Sequence, residues 1–167
     1  MGLDLSLTNS GMVAVPEFWC GDFSEVKVAT AGAKLHKDAT ERARVARLQG
    51  IRAAVVHFAE RTHATHAIIE QYAYTSMVSH AHSLGELGGV VRVALIEAGL
   101  EVEVVSPASA RKLLGKQPRK DAKIWAAQRL VAMGAPRAWP MDVLDAFTVG
   151  NWLLAEWGVG LLAPEAA

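Results

Sequence analysis

The 167-residue chain is predicted to be a mixed α/β protein, with five strands in one sheet flanked by helices. Three observations predict this. The first thirty or so residues alternate apolar and polar positions between turn signals, which is the pattern of an antiparallel three-stranded meander. Two later apolar runs, "THAIIE" and "LEVEVVSP", each follow a long helical pattern, and strands reached through helical crossovers lie parallel. The remainder is helical and contains no further strand pattern.

The elements follow in the order βββ-α-β-α-β-α-α. "LDLSL" alternates, "GMVAVPEFW" is rich in strand formers, "CGD" is a turn signal and "EVKVAT" alternates again. From Asp38 to Thr62 the period changes: Val45, Leu48, Ile51, Val55 and Phe58 recur at helical spacing, with Arg42, Arg44, Arg47 and Arg52 at other positions. "THAIIE" ends on an acid, Glu70. The next helix, Ser76 to Ala98, contains Gly85, Gly88 and Gly89, each costing about 1 kcal/mol of helix propensity relative to Ala. Close approach of another backbone would account for them, whether inside the chain or at a subunit interface. Pro107 stops the fifth strand; a short helix "ASARKLL", a loop "GKQPR" and a helix from Lys120 to Met133 follow. The linker "GAPRAWP" leads to a last helix that starts near Pro140, a residue suited to a first helical turn.

A hydrophobic content of 51% gives this length enough apolar material for one sizeable core, so residues 1–167 are read as a single domain, with 155–167 as a C-terminal tail. Cys20 stands alone, which excludes an intrachain disulfide and a cysteine-based zinc site. The opening residues "MGLDLSLTNSG" lack the basic and then unbroken apolar pattern of a signal peptide, and no run is long enough to span a membrane. A soluble, cytoplasmic protein is expected.

Net charge is zero, with 17 basic and 17 acidic residues, but its distribution is uneven. Arg111, Lys112, Lys116, Arg119, Lys120, Lys123 and Arg129 face a single acid, Asp121, in their stretch. A second basic stretch runs from Lys34 to Arg52. Such runs serve either as solvated helix faces or as phosphate-binding surfaces.

The acids carry the most specific signal. Asp142 and Asp145 in "DVLDAF" are three apart and project together from the last helix, where like charges repel unless a cation lies between them. Asp4 interrupts the first strand and Glu70 closes the fourth, at the strand ends where α/β sheets usually bind ligands. Taken singly, each reads as a surface residue. If the two strands are adjacent, all four carboxylates can meet, and a set of hard oxygen donors without His or Cys selects Mg²⁺ or Mn²⁺ over Zn²⁺.

In series, "GLDLSLTNSG", "AIIEQYAY", "LGELGGVVRVAL", "VVSPASARKLLGKQPRKDAKIW" and "DVLDAFTVG" resemble the RuvC Holliday junction resolvases of the ribonuclease H-like superfamily, over residues 2 to about 154. The likeness looks closest to the bacteriophage-type members. It implies a ribonuclease H-like sheet and an endonuclease that resolves four-way junctions by paired symmetric nicks. Asp4, Glu70, Asp142 and Asp145 would then be catalytic ligands of two Mg²⁺ or Mn²⁺ ions per active site, with Asp4 bridging them. Lys112 and Lys120 match lysines that lie near the junction backbone in the family, and the loop spacing leaves Lys123 as a rival to Lys120. Arg111, Lys112, Lys116, Arg119, Lys120 and Lys123 form the expected DNA-binding stretch, together with Tyr72 and Tyr74. Where the family often has a wedging aromatic after the Glu this chain has Ala73, and the role passes to Tyr74. A homodimer through the Ser76–Ala98 helix is implied, acting in the cytoplasm of a bacterial host if the chain is phage-encoded.

Other classes compete. "DLSLTNSG" also resembles the phosphate-binding turn of actin-like ATPases and sugar kinases, but these are two-lobed and larger. A non-cleaving module for branched DNA would use the same basic stretches, with the acids as surface polars. A ribonuclease H acting on RNA–DNA hybrids would share the acids.

Overall fold

The protein is described here by a computed structural model covering residues 1–71 and 78–161. Five strands form one sheet: β1 (Gly2–Asp4), β2 (Ser10–Ala14), β3 (Lys27–Ala31), β4 (His66–Glu70) and β5 (Glu101–Val105). Their spatial order is β3-β2-β1-β4-β5, with β1–β2 and β2–β3 antiparallel and β1–β4 and β4–β5 parallel. This is the expected meander with two parallel strands added beside β1. The helices are α1 (Glu41–Arg61), α2 (Val78–Glu97), α3 (Pro107–Lys112), α4 (Ala122–Ala132) and α5 (Met141–Glu156).

Strand periodicity divides the core into two layers. On one face Leu3, Met12 and Ile69 pack against Ile51, Val55 and Phe58 of α1 and against Leu87, Val91 and Leu95 of α2. On the other, Val13 meets Leu144 and Phe147 of α5 and Leu130 of α4, while Ile68 meets Val149 and Leu153. Asp4 shares the parity of Gly2, and Glu70 that of Ile68, so both acids belong to the α5 face.

Local chemistry sets the element ends. Thr40 caps α1 by accepting from the Ala43 amide, and Ser106 caps α3 by accepting from Ser109, with Pro107 in the first turn. In the β1–β2 turn, the Ser10 hydroxyl donates to the Ser6 carbonyl at 2.7 Å and accepts from the Ser6 amide at 3.0 Å, which satisfies a fully buried side chain. β2 is shorter than the sequence pattern predicts, ending at Ala14 instead of running through Trp19. Pro16 cannot donate to a ladder. The chain instead folds inward, so that Trp19 stacks edge to face on Phe23 at 5.3 Å and on Phe147 at 5.5 Å, and a 3-10 turn forms at Phe23–Glu25. Trp139 joins the same aromatic group through Phe23 and Phe147.

Helix α5 is buried almost all round, from Val143 to Leu154 except for Trp152, and it lies unusually close to the sheet. A Cβ at Gly2 would strike the Ala146 carbonyl and the Gly150 backbone; one at Gly11 would strike the Asp142 carbonyl. Glycine at these positions lets helix and strand backbones touch. At its far end the buried Asn151 accepts from the Leu161 amide at 2.6 Å and donates to the Leu161 carbonyl at 2.9 Å, fastening the segment after α5.

These contacts set two glycines apart. Gly11→Ala, with backbone in the way, is expected to destabilise by about 3 kcal/mol or more, whereas Gly50→Ala, exposed in α1 with open space around it, should stabilise by about 0.5–1 kcal/mol. Urea unfolding of both variants checks this: similar small changes at the two positions would mean that α5 does not rest on β2 backbone.

Candidate functional site

Parallel pairing of β1 with β4, Gly2 to Ile68 and Leu3 to Ile69, carries Asp4 and Glu70 to the same end of the sheet, each as the last residue of its strand. The close seating of α5 brings Asp145 to that end from the layer beneath. Two cations bind the acids together. Lys123 of α4 places its Nζ 3.6 Å from Asp4 Oδ2 and in a closer ion pair with Asp145 Oδ2. Arg111 of α3 places Nη2 4.0 Å from Glu70 Oε2 and 3.9 Å from Asp145 Oδ1. Five separate elements thus contribute to one cluster.

Burial within the cluster is graded. The side chain of Asp145 is 2% exposed, Arg111 15%, Asp4 17%, Glu70 21% and Lys123 46%, so the pocket opens to solvent on the Lys123 side. Asp142 lies one turn before Asp145, at the helix N-terminus, where the dipole favours a negative charge. Its Oδ2 accepts a hydrogen bond from the Asn9 side chain, which follows the β1–β2 turn.

Burial makes the charged forms of these acids costly. It pushes the Asp4 carboxyl up to about 6, with Lys123 opposing and Asp145 and Asp142 adding to the rise. Glu70 is pushed up to about 7 by burial and then by the Asp4 charge, against the pull of Arg111. Asp145 is also raised, because burial outweighs its pairing with Lys123 and Arg111. For Lys123, burial would lower the ammonium, but the hydrogen bond and charge of Asp145 and the charges of Asp4 and Asp142 hold it above the usual lysine range.

The donor set is one of carboxylate oxygens without His or Cys, which suits a hard divalent cation. The buried Asp145 Oδ2 meets the Lys123 ammonium. A buried carboxylate that already accepts a cation fits a metal ligand. Among the described residues no three of the His, Cys, Asp and Glu side chains stand at ligand distance from a common point, and the ammonium and guanidinium groups lie between the acids. Asp4, Glu70, Asp142 and Asp145 could hold divalent ions once the Lys123 ammonium moves aside from Asp4 and Asp145.

Of the basic stretch, Lys112, Lys116, Arg119 and Lys120 are exposed, while Arg111 is turned inward onto the acids. Of the two lysines that the loop spacing left open, Lys123 is the one against the carboxylates. Tyr72 and Tyr74 lie outside the described residues. His66 sits at the opposite end of β4 from Glu70, 3.3 Å from Glu101 and edge-on to Trp157, away from the acids. Asn9 is the residue that sequence reading did not reach: its partner is 133 positions away, and an Asn before a strand reads as turn chemistry.

Comparison with solved structures shows the same fold elsewhere. Thermus thermophilus RuvC in complex with a Holliday junction substrate superposes with a TM-score of 0.65 at 20% identity, covering 96% of each chain. The Thermus thermophilus RuvC structure gives 0.63 at 21% identity, over 96% of this chain and 97% of that one. No protein-family model and no curated protein sequence matches the chain. The architecture is thus ribonuclease H-like: a mixed five-stranded sheet flanked by helices. More narrowly, it is the fold seen in Thermus thermophilus RuvC.

Asp4 and Glu70 ionise at higher pH folded than unfolded, so the folded state holds extra protons between about pH 4 and 7, and its stability falls as pH rises through that window. In EDTA the melting temperature is expected to be higher at pH 5 than at pH 8, and Glu70→Gln should reduce the drop by a free energy on the order of 1–3 kcal/mol. An undiminished drop in Glu70→Gln would show that this carboxyl bears no burial cost.

Proposed function

We propose that the protein is a metal-dependent endodeoxyribonuclease that resolves four-way DNA junctions by paired nicks, built as a single ribonuclease H-like domain over residues 1–167. The observation that carries this reading is the convergence of Asp4, Glu70 and Asp145, with Asp142 one turn away, at one end of the sheet beside Lys123 and Arg111. Acids distant in sequence, buried together at a free-energy cost, call for a function that uses their charge. Two bound Mg²⁺ or Mn²⁺ ions would supply an activated water and stabilise the leaving 3′ oxygen in an in-line displacement at phosphorus.

The chain's own groups do the rest. Asp4 and Asp145 present oxygens toward the pocket centre, Glu70 and Asp142 flank them, and Asn9 orients Asp142. Exposed Lys112, Lys116, Arg119 and Lys120 would hold phosphates on either side of the cut. Such contacts read shape and backbone position, which matches a branched substrate. The fold neighbour in complex with a Holliday junction substrate supports the same assignment.

A two-fold junction calls for two sites, and α2 offers the surface for a homodimer. Its inner face carries Leu87, Val91 and Leu95, while Val93 and Ile96 are 56% and 61% exposed on its outer side. No described residue would touch a Cβ placed at Gly85 or Gly89, so the space beside these glycines is open to a second helix. No described helix is long and apolar enough to cross a membrane, and the enzyme would act on DNA in the cytoplasm. The non-cleaving reading needs the acids as surface polars, which the burial of Asp145 disfavours.

Asp145→Asn is expected to lower metal-dependent nicking of a synthetic four-way junction by at least about a thousandfold while junction affinity stays within about threefold. The metal-free variant should be at least as stable as the parent, since for Asp145 the cost of burying the charge outweighs its pairing with Lys123 and Arg111. Loss of binding together with folding would contradict the assignment, and preferential cutting of an RNA–DNA hybrid would redirect it to a ribonuclease H. Replacing Lys116 or Lys120 with Ala should lower the salt slope of junction binding by about 1 each, measured by titration at several salt concentrations.

A further inference from the structure

The two cations in the acid cluster differ in a way that the proposed function does not explain. Arg111 is largely buried, belongs to a capped helix anchored by Ala110, and reaches Glu70 and Asp145 from behind. Lys123 comes from the first turn of α4, on the open side, with its side chain about half exposed. Its ammonium touches both Asp4 and Asp145. A compact positive charge bridging two carboxylates occupies the position a divalent ion would take, on a four-carbon stem that can swing out into solvent.

We infer that Lys123 is an exchangeable stand-in for the metal: in the metal-free protein its ammonium neutralises Asp4 and Asp145, and a divalent ion displaces it outward into solvent. This rests on the metal-dependent reading above and adds a regulatory step to it. The exchange keeps the cluster near neutral in both states. It weakens metal affinity, because each ion must displace a bound cation. The released ammonium then adds one positive charge to the phosphate-binding rim only when metal is present, so metal loading and DNA binding reinforce each other. Arg111 stays in place as a fixed counter-ion to Glu70 and Asp145.

The test uses the full chain without DNA, so that its outcome is separate from nuclease activity. Mn²⁺ binding is measured calorimetrically for the parent, Lys123→Met and Lys120→Met, which lose the same charge. Exchange predicts that Lys123→Met binds Mn²⁺ at least about tenfold tighter than the parent, while Lys120→Met changes affinity by no more than about twofold. Equal effects of the two substitutions would overturn the exchange, since distant charge alone would then explain them. Should Lys123→Met not fold, the parent decides. Its Lys123 acetylation rate, read by peptide mass spectrometry against Lys120, should rise by at least about threefold on saturation with Mg²⁺. A rate that stays constant or falls overturns the proposal. Junction nicking measured in parallel separates the two claims: nicking without exchange sinks only the stand-in role, and exchange without nicking sinks the nuclease reading.

Discussion

Contact between the backbone of α5 and the backbones of β1 and β2 is the constraint on which the rest of the structure depends. Gly2, Gly11 and Gly150 remove the side chains that would otherwise separate helix from sheet. A helix held at ordinary side-chain distance would leave Asp145 out of reach of the strand that carries Asp4. Close seating also explains why α5 is apolar on nearly every side and why Thr148, fully enclosed, returns its hydroxyl to the Leu144 carbonyl at 2.9 Å. Folding and site assembly are therefore the same event on this face of the sheet.

That assembly runs against electrostatics. Three carboxylates are drawn from water, burial makes each costly to ionise, and neighbouring acids add to that cost, which apolar packing from both layers must overcome. Arg111 and Lys123 offset part of the repulsion. Their difference in exposure gives the pocket a fixed wall and a movable one. On the proposed function, binding a cation here releases energy stored during folding, so a ligand with high charge density is favoured over water.

Much of this was legible in the sequence, for identifiable reasons. Strand direction could be read because helical runs lead to parallel crossovers, and Asp4 and Glu70 were legible as acids on strands; that they meet needs β1 beside β4, which the sequence left conditional. The turn at Trp19 was not legible as strand-breaking, since a residue rich in β propensity turned inward to reach Phe147, a contact spanning most of the chain. Arg111 and Lys123 looked like members of one basic run; only the three-dimensional path of α3 and α4 divides that run into two inward cations and an outward rim. Asn9 was invisible for the same reason, its role resting wholly on Asp142.

Tying the acids to a metal is the step on which the account stands, and anomalous scattering from crystals grown with Mn²⁺ tests it most directly. The account predicts manganese peaks within about 2.5 Å of carboxylate oxygens of Asp4 and Asp145, with Glu70 or Asp142 completing the shell. Manganese found elsewhere on the protein, with Asp4 and Asp145 still bridged by Lys123 at saturating metal, would contradict it.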